Sequence, residues 1–356
     1  MTDLGGIGAF VKRGDRVLIK PNLLMSSPPD KAVVTHPGLV EAVAELIVDA
    51  GAKPFVGDSP PVGHLSRVLS KSGYADFMQR LGVEAVPFKE KMSCEFGEGR
   101  LYRQIELARE VFEFDVVVNL PKLKTHCQMF LTLSIKNLFG TVIGSDKAAW
   151  HMRAGRDYVT FATALVQIYE KVKPALNIVD GILAMEGDGP NNGTPRHVGI
   201  LAGGADGTAV DAVICRLLGF EANELLTCVL SHELNVGTMD SAHIKVVGDE
   251  LDGFPLSDFA TPQAMGVRWN MGHRNPLRRF MEKHMVMRPR IDQAACWRCK
   301  VCLSHCPPAA ISETDEIMTI DYNKCISCFC CHELCTSNAV HIYRPLVGRI
   351  LSAITR

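Results

Sequence analysis

No stretch of this 356-residue chain approaches 18 uninterrupted apolar residues, so no transmembrane helix is expected. The first residues, MTDLGGIGAFVKRGD, lack a positively charged region followed by an apolar run and do not read as a secretory leader. Neither sign of charge is in excess. With 38 Lys and Arg against 39 Asp and Glu, the net charge is −1, and nothing global argues for nucleic acid or a membrane surface. These absences make the cytoplasm the default expectation. Apolar content of 47% is ample for a packed core, and the length suggests two domains. Cysteine is not scarce, but it is unevenly placed. Nine of 13 cysteines fall between 296 and 335. The others, Cys94, Cys127, Cys215 and Cys228, are scattered as reduced thiols would be.

The dense segment carries an internal repeat. Residues 325–335 read CISCFCCHELC and residues 296–306 read CWRCKVCLSHC. Shifted by 29 positions, Cys296, Cys299, Cys302 and Cys306 fall on Cys325, Cys328, Cys331 and Cys335. Cys330 falls on Val301, which marks it as a packed thiol and not a ligand. Each half has the spacing C-x2-C-x2-C-x3-C, the bacterial ferredoxin run whose fourth cysteine serves the other cluster. Three thiolates on a tight loop reach three corners of an iron–sulfur cube, and the fourth corner needs a cysteine from elsewhere. The expected sets are Cys296, Cys299, Cys302 and Cys335 for one 4Fe-4S cluster, and Cys325, Cys328, Cys331 and Cys306 for the second. Zinc sites use paired C-x2-C knuckles and four ligands in total, which a third cysteine in register, twice, does not suit. Arg298 and Lys300, inside the first loop, are expected to favour the reduced cluster.

Residues 1–265 alternate strand-like and helix-like patterns. Arg16–Lys20, Pro54–Asp58, Asp115–Asn119, Leu176–Asp180, Val198–Leu201 and His243–Val247 read as strands. A helix capped by Thr35 or His36, with Pro37 in its first turn, ends at Gly51; Tyr158–Val172 and Thr208–Leu218 read as further helices. This alternation predicts an α/β fold with a mostly parallel sheet and helices on both faces. A small α+β ferredoxin-like domain is expected at 291–342, after a basic linker at 266–290 and before a tail at 343–356. In open parallel sheets ligands bind beyond the carboxyl ends of the strands. Lys20, Asn22, Asp58, Ser59 and Asp180 sit at such ends. If Asn119–His126 stays extended, Lys122, Lys124 and His126 point the same way. Lys136, Asn137 and His151 follow. Such a cleft suits a carboxylate or phosphate, with histidine as proton donor; the alternative is a set of solvated surface charges. The turn-rich loop Glu186–Gly193 could line the cleft or lie plainly on the surface. It holds no nucleotide fingerprint, and no NAD or ATP site is predicted.

The segments VLIKPNL, THPGLVEAVAELIVDAGA, VGDSP, NLPKLKTH, LSIKNLFG and DGILAMEGDGP resemble the family catalogued as domain of unknown function 362, over residues 5 to 215. Many members of that family carry a C-terminal two-cluster ferredoxin module. The resemblance implies that Lys20, Asn22, Lys122, Lys124, His126, Lys136 and Asn137 are motif positions. The expected function is a ferredoxin-coupled oxidoreductase. Lys124, His126, Lys136 and His151 are its candidate catalytic residues. Lys20, Asn22, Asp58, Lys122, Asn137 and Asp180 are candidates to hold an anionic substrate or a further organic cofactor. An electron donor or acceptor protein is the expected partner. Two other readings stay open: an electron-transfer subunit docking a partner enzyme, and a non-redox racemase or isomerase type of enzyme with structural clusters.

Overall fold

The computed structural model describes residues 1–144, 146–251, 254, 256, 258–262 and 287–343. The basic linker up to residue 286 and the tail from 344 lie outside the described residues.

The strand expectations hold for most of the long first part. Strands β1 (Arg16–Pro21), β2 (Lys53–Asp58), β3 (Glu84–Pro87), the hairpin β4 (Lys91–Glu95) and β5 (Gln104–Ala108), and β6 (Val116–Leu120) come first. They are followed by β7 (Lys122–His126), β8 (Phe130–Thr132), β9 (Leu176–Glu186) and β10 (Thr194–Gly204). The main sheet runs β3-β2-β1-β6-β9-β7-β8, with β10 beside β9. Pairings β1–β2, β1–β6, β2–β3, β6–β9 and β7–β9 are parallel, whereas β7–β8 and β9–β10 are antiparallel. Alternate side chains of β1 face opposite layers. Val17 and Ile19 pack with α1 (Pro37–Asp49), and Leu18 packs with the helix over Tyr158–Val172, so helices cover both faces. His36 caps α1 by accepting from Gly38 N. The long helix is capped by Asp157, which accepts from Val159 N and Thr160 N. After β3 the chain returns to place β6 on the other side of β1. The switch point therefore falls between the carboxyl ends of β1 and β6, the place where open α/β sheets bind ligands.

One expected strand is absent. At 243–247 the structure has a 3-10 turn, Ser241–His243, capped by Asp240, whose side chain accepts from Ala242 N. Val246 and Val247 are exposed, and an apolar run without a neighbouring strand has no ladder to join.

The cysteine-rich end repeats in three dimensions. Strand β11 (Arg288–Ile291) pairs with β14 (Val340–Tyr343), and β12 (Ile311–Thr314) pairs with β13 (Ile317–Ile320), both antiparallel. Two one-turn helices, Val301–Ser304 and Cys330–Glu333, occupy equivalent positions. The backbone obeys the same 29-residue shift. Arg298, Lys300 and Ala309 have φ of 54°, 62° and 48°, and Ser327, Phe329 and Asn338 have 54°, 61° and 52°. Left-handed φ is uncommon outside glycine; here it recurs wherever a cysteine loop must fold back on itself.

Candidate functional site

Two cavities lie inside this end of the chain. One is lined by Cys306, Cys325, Cys328 and Cys331, with Cys330 also at its wall. The other is lined by Cys296, Cys299, Cys302 and Cys335. The structure thus brings each sequence-derived quartet to one cavity, with the fourth cysteine arriving from the other half. None of the eight is in a disulfide. Backbone N–H groups donate to the sulfurs in matched positions: Ala310 N to Cys306 Sγ at 3.2 Å and Ala339 N to Cys335 Sγ at 3.2 Å. Four thiols around one hollow, with amides aimed at the sulfurs, form a donor set that fits an iron–sulfur cluster. The charged residues of the first loop are paired with acids. Arg298 pairs with Glu316 at 2.6 Å and Lys300 with Glu313 at 2.6 Å. Each of the two cations thus has an acid of the hairpin beside it.

The second cavity loop packs against the α/β part. Arg156 donates to Cys325 O at 2.9 Å, and Asn191 and Asn192 donate to Cys335 O and His332 O, each at 2.9 Å. The Glu186–Gly193 loop is therefore neither a cleft wall nor a free surface turn; it clasps the cysteine loop. Gly189 is required there, since a Cβ would sit 2.3 Å from Thr125 O. The loop closes on β7, whose Thr125 Oγ1 accepts from Gly189 N at 3.2 Å.

Strand β7 stays extended and carries Lys122, Lys124 and His126, all buried. Lys122 pairs with Asp180 at 2.7 Å and Lys20 pairs with Asp58 at 3.0 Å. Lys124 Nζ donates to Asn22 Oδ1 at 2.9 Å and Val33 O at 2.7 Å. An amide chain ties these ends together: Asn22 Nδ2 donates to Asn137 Oδ1, and Asn137 Nδ2 donates to Asn119 Oδ1. These residues meet one another, so most of the expected binding groups form the floor of the site. Burial, then the neighbouring charges of Lys122 and Lys136, pulls Lys124 down to about 7. Lys147, which the sequence reading passed over, donates to Ser59 O at 2.7 Å and to Val142 O. Burial brings it to about 7 as well. Gly140 lets the Lys20–Asp58 pair fit, because a Cβ there would stand 2.4 Å from Asp58 Oδ1 and 2.6 Å from Lys20 Nζ. Gly140→Ala is expected to displace that pair and destabilise the fold by about 1–3 kcal/mol, as overpacking does; a urea melt unchanged from the parent would refute this.

The remaining candidates converge on a residue that sequence reasoning missed. Glu333, from the second cysteine loop, lies 3.0 Å from His126 Nε2 and 4.0 Å from Cys127 Sγ. The repeat held a signal for it: Glu333 falls on Ser304, a charge where the other half has a hydroxyl. His126 Nδ1 accepts from Gln128 N at 3.1 Å and Met129 N at 3.2 Å. Its proton therefore sits on Nε2 and is donated to Glu333. Burial would raise the Glu333 carboxyl, but His126 and Lys136 overcome it and hold it at about 2. His126, Cys127 and Glu333 have ligand atoms within 4.8 Å of one another, a spacing that could suit a metal ion. A ligating histidine normally donates from its other nitrogen, whereas Nδ1 here receives two N–H groups, so the set reads as a hydrogen-bonded dyad beside a thiol. Burial keeps that Cys127 thiol protonated. His151 stacks on Phe161 at 4.4 Å, and burial, with Lys136 and His126 adding to it, pushes it down to about 4. It is a neutral imidazole near neutral pH. Lys136 is half-buried, with its ammonium 4.9 Å from the Phe139 ring centroid and 5.9 Å from that of Phe161.

Residues 17–216 match the family described as "Domain of unknown function (DUF362)". The chain belongs to that family. This DUF362 chain is 43% identical over 233 residues to the "Thylakoid-associated protein sll1697" of Synechocystis sp., an alignment covering 65% of this chain and 72% of that relative. It is 37% identical over 56 residues to "Pyruvate synthase subunit PorD" of Methanocaldococcus jannaschii, covering 15% of this chain and 65% of that protein. Its fold is similar to the lactate racemase apoprotein from Thermoanaerobacterium thermosaccharolyticum, with a TM-score of 0.41 and 11% identity, over 60% of this chain and 51% of that one; a likeness this weak carries nothing about chemistry. Among the described residues no helix is long and apolar enough to cross a membrane.

Proposed function

We propose that this DUF362 chain is an oxidoreductase. Residues 291–342 hold two 4Fe-4S clusters, and the α/β part binds an anionic substrate or cofactor at the switch point. When bound, the clusters would supply one-electron transfer. The observation that carries the reading is the Glu333–His126 contact. A residue lodged between two cysteines of the cluster loops touches the histidine that ends β7. The chain's own residues supply the rest. Lys20–Asp58 and Lys122–Asp180 fix the floor, Lys124 ties Asn22 to Val33 within it, Lys136 brings a further amine, and the His126–Glu333 dyad holds a proton at Nε2 beside the junction.

The two cysteine sets differ in exposure, which gives the reading a direction. Cys299 is exposed, and Trp297 beside it is 73% exposed, whereas Cys328 and Cys331 are buried. Electrons would enter from a donor protein at the Trp297 face and move inward. An exposed tryptophan is a common anchor of protein interfaces. Trp297→Ala is expected to slow reduction by a protein donor about tenfold, the effect of losing about 1.4 kcal/mol, without slowing reduction by dithionite. Equal rates with both reductants would remove this face as the entry point.

The direct test is anaerobic analysis of the purified chain. The reading expects about eight iron and eight sulfide per chain, and His126→Gln should keep both while abolishing reoxidation by the bound ligand. Zinc in place of iron, or reoxidation unchanged in the variant, would end it. The match to a protein named as a subunit of pyruvate synthase favours a second reading, in which this chain serves as an electron-transfer subunit beside an enzyme. Mass spectrometry of small molecules released on denaturation separates the two: a stoichiometric ligand supports the oxidoreductase, and none, with clusters present, supports the subunit.

A further inference from the structure

The two halves of the cysteine-rich end repeat in backbone but not in surface charge. On β11, Arg288 and Arg290 alternate with the buried Pro289 and Ile291; on β14, His341 and Tyr343 alternate with the buried Val340 and Ile342. The register sets Arg288 opposite Tyr343 and Arg290 opposite His341, so these four share the outer face of one two-stranded ribbon. Tyr322, 38% exposed, joins them: the Arg288 guanidinium lies 5.2 Å from its ring centroid. The 29-residue shift puts Ile317, Thr319, Ser312 and Thr314 at the matching places on the β12–β13 ribbon, where the Ser312 and Thr319 hydroxyls bond each other at 3.0 Å. The exposed Lys324 falls on Ala295. Acids run the other way. Glu313 and Glu316, which pair with the cations of the first loop, fall on Ile342 and Met287, while Asp292 and Asp321 match each other. One outer face is cationic and aromatic, and the four matching positions on its twin are neutral.

The fold does not require those charges, since the twin ribbon is built without them. Their place gives them a use. Pro289, between the two arginines, lines the hollow of Cys306, Cys325, Cys328 and Cys331, so the outer face stands one strand away from the second cysteine set. Tyr322 Oη donates to Pro289 O at 3.0 Å and holds the two together. Cys325 is the least buried cysteine of the second loop. Lys324 precedes it, and the exposed Arg156 donates to its carbonyl at 2.9 Å. Arg156 and Lys324 thus flank Cys325, and Arg288 and Arg290 extend the positive strip along the ribbon. Such a strip raises the encounter rate of an anionic partner by about 10- to 1000-fold at low salt. Position selects the partner: a nucleic acid or a lipid gains nothing from nearness to four sulfurs, whereas an electron carrier does.

Resting on the two-cluster reading above, we propose that the outer face of the β11–β14 ribbon docks a small acidic electron-carrier protein, a second port distinct from the Trp297 face. The carrier takes up one electron from the second cluster, so the carrier is reduced and the cluster oxidised, and no bond is made or broken. The cations bring the carrier in. Tyr322 and Tyr343, 38% and 44% exposed, offer it the aromatic contact that, with arginine, is enriched in protein interfaces.

The test uses the anaerobically purified holoprotein and an acidic flavodoxin as probe. Calorimetric titration with oxidised flavodoxin should show binding that weakens at least about tenfold from low to physiological salt, as exposed charges are screened. Stopped-flow mixing of the dithionite-reduced chain, freed of excess reductant, with oxidised flavodoxin should show electron transfer with the same salt dependence. Arg290→Glu combined with Lys324→Glu should weaken binding and slow transfer at least about tenfold, without slowing transfer to a basic cytochrome c. Ile317→Glu combined with Thr319→Glu, on the twin ribbon, and Trp297→Ala should leave flavodoxin binding unchanged. Salt-independent binding, equal loss from the two pairs of acids, binding without transfer in iron-loaded protein, or no binding would overturn the proposal. Retention on phosphatidylserine–phosphatidylcholine vesicles that Arg290→Glu with Lys324→Glu abolishes, with flavodoxin unbound, would assign the face to a lipid surface instead. Iron is measured on the same samples. Missing iron with flavodoxin binding intact overturns the cluster reading and leaves the docking face standing, and intact iron without binding overturns the face alone.

Discussion

Cys335→Ser is expected to remove the cluster of the first loop, although Cys335 lies in the second. Iron should fall from about eight to about four per chain, the content of a single 4Fe-4S group. The surviving group should be the one beside Cys306, Cys325, Cys328 and Cys331. The reason is the crossing: Cys335 lines the cavity of Cys296, Cys299 and Cys302, and Cys306 lines the other. Cys306→Ser should give the mirror result. Cys330→Ser is the control. Cys330 lines the same cavity as Cys328 and Cys331, yet the 29-residue register sets it opposite Val301, and iron should stay at its parent value. Electron paramagnetic resonance of the reduced proteins distinguishes the two losses. If Cys335→Ser and Cys331→Ser leave the same signal, the crossing is wrong; if Cys330→Ser loses iron, the ligand set is wrong.

The second large effect concerns the floor of the site. Lys122→Met is expected to destabilise the protein by roughly 3–5 kcal/mol, the cost of leaving one partner of a buried ion pair uncompensated. Both side chains are fully buried. Asp180 Oδ2 accepts from Lys122 Nζ and from His36 N, each at 2.7 Å, while Oδ1 has no partner. Without the lysine, an ionised carboxylate would be left with a single backbone donor. Adding Asp180→Asn removes the stranded charge, and the double variant should regain a substantial part of the loss. The shift of the urea midpoint at neutral pH measures both. A single variant as stable as the parent would mean that the pair holds shape without holding the fold. A double variant no better than the single would place the cost in packing and not in charge.

The sheet was legible wherever a strand is buried on both faces, because a continuous run such as Val17–Leu18–Ile19 has few other ways to be satisfied. His243–Val247 looks similar in composition but fails, since its neighbours in space are not encoded in the run. The β4–β5 hairpin escaped notice because its residues alternate between exposed and buried and read as polar. Cysteine spacing is a local property, so the two quartets could be written down from the chain. Glu333 could not be placed from spacing, because its meaning lies in a contact with His126 across more than 200 residues. The same holds for Asn191 and Asn192. Their loop is rich in turn formers, and nothing in its composition says what it grips. Lysines 20, 122 and 124 were found at the right place, but only the structure separates those held by acids or carbonyls from Lys136.

The crossed cysteines also bear on how the protein is made and lost. Each half of the repeat supplies three sulfurs to its own cavity and one to its neighbour's, so neither loop can be finished before the other exists. Both loops must therefore be folded before either quartet of sulfurs is complete. Oxidative damage at one loop should spread to the other by releasing a shared cysteine. The clasp at Asn191 and Asn192 would come undone next, since it grips the backbone of Cys335 and His332.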